Sequence, residues 1–216
     1  MIQGGISAII DCTEKGDEEM KLSRVEKWFM NRPQHAKQAI NRAEKLLHFI
    51  NMKEKQNFLE VGCGSGAMSK HVAKKYLLNV TGTDIDPEQI QLAQENTDNL
   101  PGLRFLEVDA ADLPFQDNDF EIVLSFGVMH HICNWLDALK EIDRVLKPGG
   151  YFVYRDIVYP KLTARIGKSF KHSYGITTIP DLNSFIERNN FSTIYSSLSR
   201  LLIFNHYEAV YHKDEL

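Results

Sequence analysis

The chain has 216 residues, 43% hydrophobic and 25% charged, with a net charge of −4. This is the composition of one ordinary globular domain, large enough to bury a full core, and its acidity argues against a dedicated nucleic-acid binder. No apolar run approaches the ~20 residues that span a bilayer, and the three cysteines (Cys12, Cys63, Cys133) are too scattered for a metal site and fit a reduced protein better than a disulfide scaffold.

Residues 1–19 are polar and acidic after a short apolar start, with no early Lys or Arg, so they read as a poorly ordered tail and not as a signal peptide. From Leu22 to Ile50 apolar residues recur at helical spacing (Val25, Trp28, Phe29, then Ala36, Ala39, Ile40, Ala43, Leu46, Leu47, Ile50), and Pro33 divides the stretch into two helices. We read residues 1–50 as a tail followed by helices, and residues 51–216 as the main domain. Asn57–Val61 is a strand that stops in Gly62-Cys63-Gly64-Ser65-Gly66, and Ser65–Leu77 is a helix. Asn79–Asp84 is a second strand. Asp86 caps a helix that opens at Pro87 and runs to about Thr97.

Leu103–Val108 is the third strand. Asp117-Asn118-Asp119 turns into the fourth, Phe120–Phe126. Asn134–Leu146 is a helix closed by Lys147-Pro148-Gly149-Gly150, with Tyr151–Tyr159 as the fifth strand. A short helix over Asp181–Asn189 and two alternating strands, Phe191–Leu198 and Leu201–Tyr211, complete the chain. Strands alternating with helices predict a parallel α/β sheet covered on both faces, whose ligand lies beyond the carboxyl ends of the strands.

The residues at those strand ends carry the chemistry. Gly62-x-Gly64-x-x-Ala67 fits the loose dinucleotide fingerprint, but Glu60-x-Gly62-x-Gly64-x-Gly66 fits a different pattern equally well. Asp84 lies 22 positions after Gly62 (84 − 62), where a carboxylate can accept hydrogen bonds from a ribose diol. After the third strand, Asp109 can accept from an exocyclic amino group and the Ala110 N–H can donate to a ring nitrogen, bracketing an adenine. The loop carries no Lys or Arg, so nothing in it demands a phosphate.

Five segments follow in order: Glu60–Gly66, Gly82–Asp86, Asp109–Phe115, Asp119–Ser125 and Arg144–Gly150. Over about residues 56–158 the chain resembles the class I S-adenosylmethionine-dependent methyltransferases, most of all the branch with the ubiquinone/menaquinone C-methyltransferases. The resemblance implies a Rossmann-like three-layer sandwich with a seven-stranded, mostly parallel sheet of order 3-2-1-4-5-7-6, strand 7 being antiparallel. It implies S-adenosyl-L-methionine as cofactor and a small organic molecule as methyl acceptor. It also implies roles: Glu60, Gly62, Cys63, Gly64 and Gly66 along the methionine part, Asp84 on the ribose, Ile85 against the adenine face, Asp109 and Ala110 on its edge, and Ser125 and Phe126 by the sulfonium.

His130-His131 offers a general base, or merely shapes the pocket wall. Arg155 and Asp156 either bind a charged acceptor or pair with each other. The resemblance also implies that the N-terminal helices, with Trp28, Phe29 and His35, form a lid over the site, and core packing is an alternative for the two aromatics. Arg165, Lys168, Lys171 and His172 either greet an anionic acceptor or form a solvated face. The segment from Pro160 to Pro180 and the N-terminal helices are the places to look for acceptor specificity.

Other readings are an RNA methyltransferase, a dinucleotide-dependent oxidoreductase and a non-enzymatic nucleotide-binding regulator. The first calls for a basic RNA-binding module or an Asn/Asp-Pro-Pro-Tyr-like motif where this chain has Ser125-Phe126-Gly127-Val128. The second leaves Asp109-Ala110 and the Lys147–Gly150 turn unexplained. The expected setting is the cytoplasm. The closing Lys213-Asp214-Glu215-Leu216 spells an ER-retention signal and is read as coincidence, in the absence of an entry signal.

Overall fold

A computed structural model describes residues 31–97, 100–160, 175, 177–201 and 204–215. The first predicted helix with Trp28 and Phe29, the basic stretch Arg165–His172 and the last residue, Leu216, lie outside the described residues. Within them the elements run α1 (Pro33–Leu47), β1 (Asn57–Val61), α2 (Ala67–Tyr76), β2 (Asn79–Asp84), α3 (Pro87–Glu95), β3 (Leu103–Glu107), β4 (Phe120–Phe126), a 3-10 turn (Met129–His131), α4 (Trp135–Val145), β5 (Leu146–Val158), α5 (Ile179–Arg188), β6 (Phe191–Leu201) and β7 (Phe204–Lys213).

The strands form one sheet of order β3-β2-β1-β4-β5-β7-β6. β1 to β5 pair in parallel, and β7 runs antiparallel to both β5 and β6. This is the expected fold. β1, β2 and β4 start and stop at the residues read from the sequence. β5 starts earlier than expected. Leu146 already pairs with Phe120, and a register shift between Phe120 and Ile122 takes up the Lys147–Gly150 turn, where Gly149 has φ +77°. The turn is thus a kink inside a strand.

Residue alternation along each strand feeds two cores. On one face Phe58, Ile122, Leu124, Val153 and Val210 pack against Leu46 and Leu47 of α1 and Met68 and Val72 of α2. On the other, Leu59, Val61, Val123, Phe152 and Tyr211 meet Leu139 and Ile142 of α4 and Leu182 and Phe185 of α5. α3 closes a smaller cluster of Ile90, Ala93, Phe105 and Cys63. Lys213 is woven into this fold. Its Nζ donates to the carbonyls of Asp143 (2.6 Å) and Leu146 (3.0 Å), where a cation suits the negative end of α4.

Pro33 occupies the first turn of α1, where its missing N–H costs nothing. Ala43, Leu46 and Leu47 are almost fully enclosed, and Glu44 reaches across to His71, Lys75 and Tyr76 of α2. α1 therefore shares the main core. Leu46→Ala is expected to lower unfolding free energy by about 2–5 kcal/mol, the range for emptying a buried leucine site. Urea denaturation measures it, and a loss near zero would mean that α1 is a detachable lid.

Candidate active site

At the carboxyl end of β1 the chain turns through three glycines with positive φ: Gly62 (+73°), Gly64 (+51°) and Gly66 (+76°). A Cβ on Gly62 would stand 2.4 Å from Val128 Cγ2, so side chains are barred there by space as well as by backbone angle. The turn is stitched to the end of β2. The Gly62 and Cys63 N–H groups both donate to the Thr83 carbonyl at 2.8 Å, and the Gly64 N–H donates to Asp84 Oδ2 at 2.8 Å. The Gly66 N–H donates to the Cys63 carbonyl at 3.0 Å. These four N–H groups are consumed internally. The turn therefore offers a ligand close approach and few free donors of its own.

The Asp86 N–H donates to Asp84 Oδ1 (3.0 Å), and the Ile85 N–H also donates to this carboxylate, whose two oxygens have about four lone-pair sites for these three backbone donors. Burial raises the Asp84 pKa against the pull of those donors. The Val108 N–H donates to the Asp84 carbonyl (2.9 Å), and this brings the end of β3, with Asp109 and Ala110, beside the end of β2. Asp109 Oδ1 accepts from the Ala111 N–H (2.9 Å). Asp86 caps α3 by accepting from the Glu88 N–H (3.0 Å), as expected.

A cavity of about 520 Å³ opens over these strand ends. Its wall includes Glu60, Gly62, Cys63, Gly64, Asp84, Ile85, Asp109, Ala110, Phe126, His130 and His131. Two predicted residues are not brought to it. Ser125 is fully enclosed in β4, because alternation turns Phe126 to the cavity and Ser125 to the opposite face. Gly66 lies behind the wall, where a Cβ would be 2.5 Å from the Phe105 ring; it serves the turn into α2.

Glu60 is 4% exposed, and its carboxylate accepts from the Ser69 hydroxyl and the Ser69 N–H. Burial nevertheless pushes its pKa up to about 8, because no cation among the described residues stands beside it. Burial, with the Glu60 and Asp84 carboxylates near, also raises the Cys63 thiol well above its ordinary range. Cys63 is consequently a wall residue and not a nucleophile.

The other end of the cavity contains residues whose role the sequence left open or gave no sign of. Arg155 and Asp156 do not pair, since successive strand residues face opposite sides. Asp156 Oδ1 binds His130 Nδ1 at 2.5 Å, and its Oδ2 accepts from the His130 N–H at 3.3 Å. Arg155 stacks over the Phe126 ring (5.1 Å to the centroid), its register partner on β4. His35, Gln38, Ala39 and Arg42 line the cavity from α1 at spacing i, i+3, i+4, i+7, a stripe on one helix face. His206 lines it from β7, opposite Ile157, and Gln89 lines it from α3. The α1 stripe was readable in the sequence. His206 had no local signal, since antiparallel register alone brings it there. No group of three or more metal-ligating side chains occurs among the described residues, and no helix among them is long and apolar enough to cross a membrane.

Fold and site together define a Rossmann-like α/β domain with a nucleoside-sized cavity at the switch of its sheet. Residues 59–154, a little under half of the chain, match the family described as a methyltransferase domain. The chain is 40% identical over 100 residues to a probable phthiotriol/phenolphthiotriol dimycocerosates methyltransferase 2 of Mycobacterium ulcerans, a match covering 46% of this chain and 38% of that protein. It is 38% identical over 104 residues to a fatty-acid O-methyltransferase of Mycolicibacterium smegmatis (48% and 38% covered). These matches thus take in well under half the length of either relative. Among solved structures, the [4+2]-cyclase SpnF superposes with a TM-score of 0.70 at 17% identity over 81% of this chain and 80% of that one, a likeness of fold alone.

Glu60 makes a pH prediction. With its folded pKa near 8 and an unfolded value near 4.5, the native state binds the extra proton, so stability is full below about pH 4.5 and is lost as pH rises to about 8. Glu60→Gln removes this loss. Thermal melts should show the variant gaining on the wild type between pH 6 and 8 and levelling off above; a pH-independent difference would contradict the assignment.

Proposed function

We propose that this chain is an S-adenosylmethionine-dependent methyltransferase acting on a small organic acceptor. The observation that carries the reading is the row of Glu60, Asp84 and Asp109 behind a glycine turn whose N–H groups are already used. These residues fit the cofactor's chemistry. Glu60 is an acid with no cationic partner among the described residues and suits an ammonium. Asp84 has acceptor capacity left for a ribose diol, with Ile85 beside it as an apolar surface. Asp109 and the Ala110 N–H suit the adenine edge, and Phe126 stands between this row and His130 as wall for the sulfonium region.

When bound, the cofactor supplies a methyl group already activated on sulfur, so the protein's task is alignment and exclusion of water. A base is required only where the acceptor must lose a proton. His130 is the better candidate of the histidine pair. Asp156 holds its Nδ1 and so leaves Nε2 as the proton acceptor, the tautomer being inferred from that hydrogen bond. His131 lies with its ring 3.9 Å from that of His130 and serves as its support. α1, anchored in the main core, supplies one wall of the cavity.

Isothermal titration with S-adenosylhomocysteine tests the cofactor site. Wild type should bind, and Asp84→Ala should weaken binding about a hundredfold, the loss of a hydrogen bond to a charged group. Asp112→Ala, at an exposed neighbour, should change nothing; equal effects of the two variants would overturn the role of Asp84. In a methyl-transfer assay with hydroxyl-bearing acceptors, His130→Ala should lower kcat by about 10²–10⁴ while S-adenosylhomocysteine affinity stays within about twofold. An unchanged kcat would remove His130 from the chemistry.

A further inference from the structure

Arg155 is a buried guanidinium with almost nothing to hold. It is 9% exposed, and the one ion pair its five N–H donors make among the described residues is with Glu208, at 3.7 Å from Nε, while Asp156, held by His130, adds only a more distant pull. That is well outside the 2.7–2.9 Å of a charge-assisted hydrogen bond. Glu208 is moreover shared, since it accepts from the Tyr195 hydroxyl at 3.4 Å. A buried cation left so loosely paired is costly. The guanidinium lies on the cavity wall, where a ligand can reach it.

Its surroundings increase the positive potential. Arg42 projects into the same cavity from α1, and its charge, with burial, lowers the pKa of Arg155. His206, on the same sheet face two residues from Glu208 along β7, has a buried Nδ1 with no hydrogen-bond partner among the described residues. Its pKa is depressed by burial and by both arginines, against the opposing pull of Asp156. The fold thus places two guanidiniums and an unsatisfied imidazole at one end of the cavity. The carboxylates Glu60, Asp84 and Asp109 stand at the other end. Between the cations the wall is apolar, with Ala39, Phe126 and Ile157.

We propose that Arg155, with Arg42 and His206 beside it, binds a carboxylate of the methyl acceptor, so that the acceptor is an organic acid with an apolar body. The proposal rests on the methyltransferase reading above. A planar guanidinium stacked on Phe126 presents its fork to the two oxygens of a carboxylate, a geometry that lysine could not supply. The methionine carboxylate of the cofactor shares this chemistry and is the alternative source that the experiment must separate.

The test is titration of octanoate and octan-1-ol into the protein saturated with S-adenosylhomocysteine. Octanoate should bind at least tenfold more tightly than the alcohol. Arg155→Gln should abolish the preference, and Arg42→Gln, at an exposed position where folding is safe, should reduce it several-fold. Both variants should keep their S-adenosylhomocysteine affinity within about twofold. Equal binding of acid and alcohol overturns the inference. A tenfold loss of S-adenosylhomocysteine affinity in either variant also overturns it, by giving the subsite to the cofactor. Wild-type protein that binds no S-adenosylhomocysteine would instead defeat the methyltransferase reading itself.

Discussion

The hydrogen bond from the Gly64 N–H to Asp84 Oδ2, at 2.8 Å, is the interaction on which the site depends. It fixes the turn after β1 to the tip of β2, and the Thr83 carbonyl secures the same turn by accepting from Gly62 and Cys63. The turn then approaches Val128 so closely that position 62 has no room for a Cβ. The Asp84 carboxylate also accepts from the Ile85 and Asp86 N–H groups, and its own carbonyl ties down the end of β3 by accepting from the Val108 N–H. Three strand ends are held as one surface by a single aspartate and its neighbour. Burial works against that aspartate and against Glu60, raising both pKa values. Such stored cost is usual where polar groups are prepared for a ligand and not for stability.

The cavity is therefore polarised by construction. Its acidic end rises from β1, β2 and β3, where the chain has just left parallel strands. Its basic end rises from β5, β7 and α1, where antiparallel pairing and a helix stripe bring together residues far apart in sequence. His130 sits between them on the short turn after β4, oriented by Asp156. Two successive residues of β5, Arg155 and Asp156, thus serve different sides of the site because a strand sends its side chains alternately to opposite faces.

Most of the acidic end was legible in the sequence, because its signals are local. A glycine turn after an apolar strand, and carboxylates ending the next two strands, are features of single segments. The sheet order came with the family resemblance, and the structure agrees with it. The failures were those where a neighbouring strand decides. Ser125 ends the right strand but points the wrong way. Gly149 and Gly150 look like a helix stop, yet Leu146 has already joined β4. Arg155 and Asp156 left open whether they bind an acceptor or pair with each other, and alternation removes the second reading. His206 is placed by the register of β5 with β7, a contact that no window of sequence contains.

The central claim is that the turn after β1 and the tips of β2 and β3 form one bed for S-adenosylmethionine. Backbone amide NMR during titration with S-adenosylhomocysteine tests it most directly. The account predicts saturable shifts at Gly62, Cys63, Gly64, Ile85 and Ala110, with the amides of β6 at the far edge of the sheet unmoved. Shifts confined to another face, or none at these five amides at saturating ligand, would contradict it.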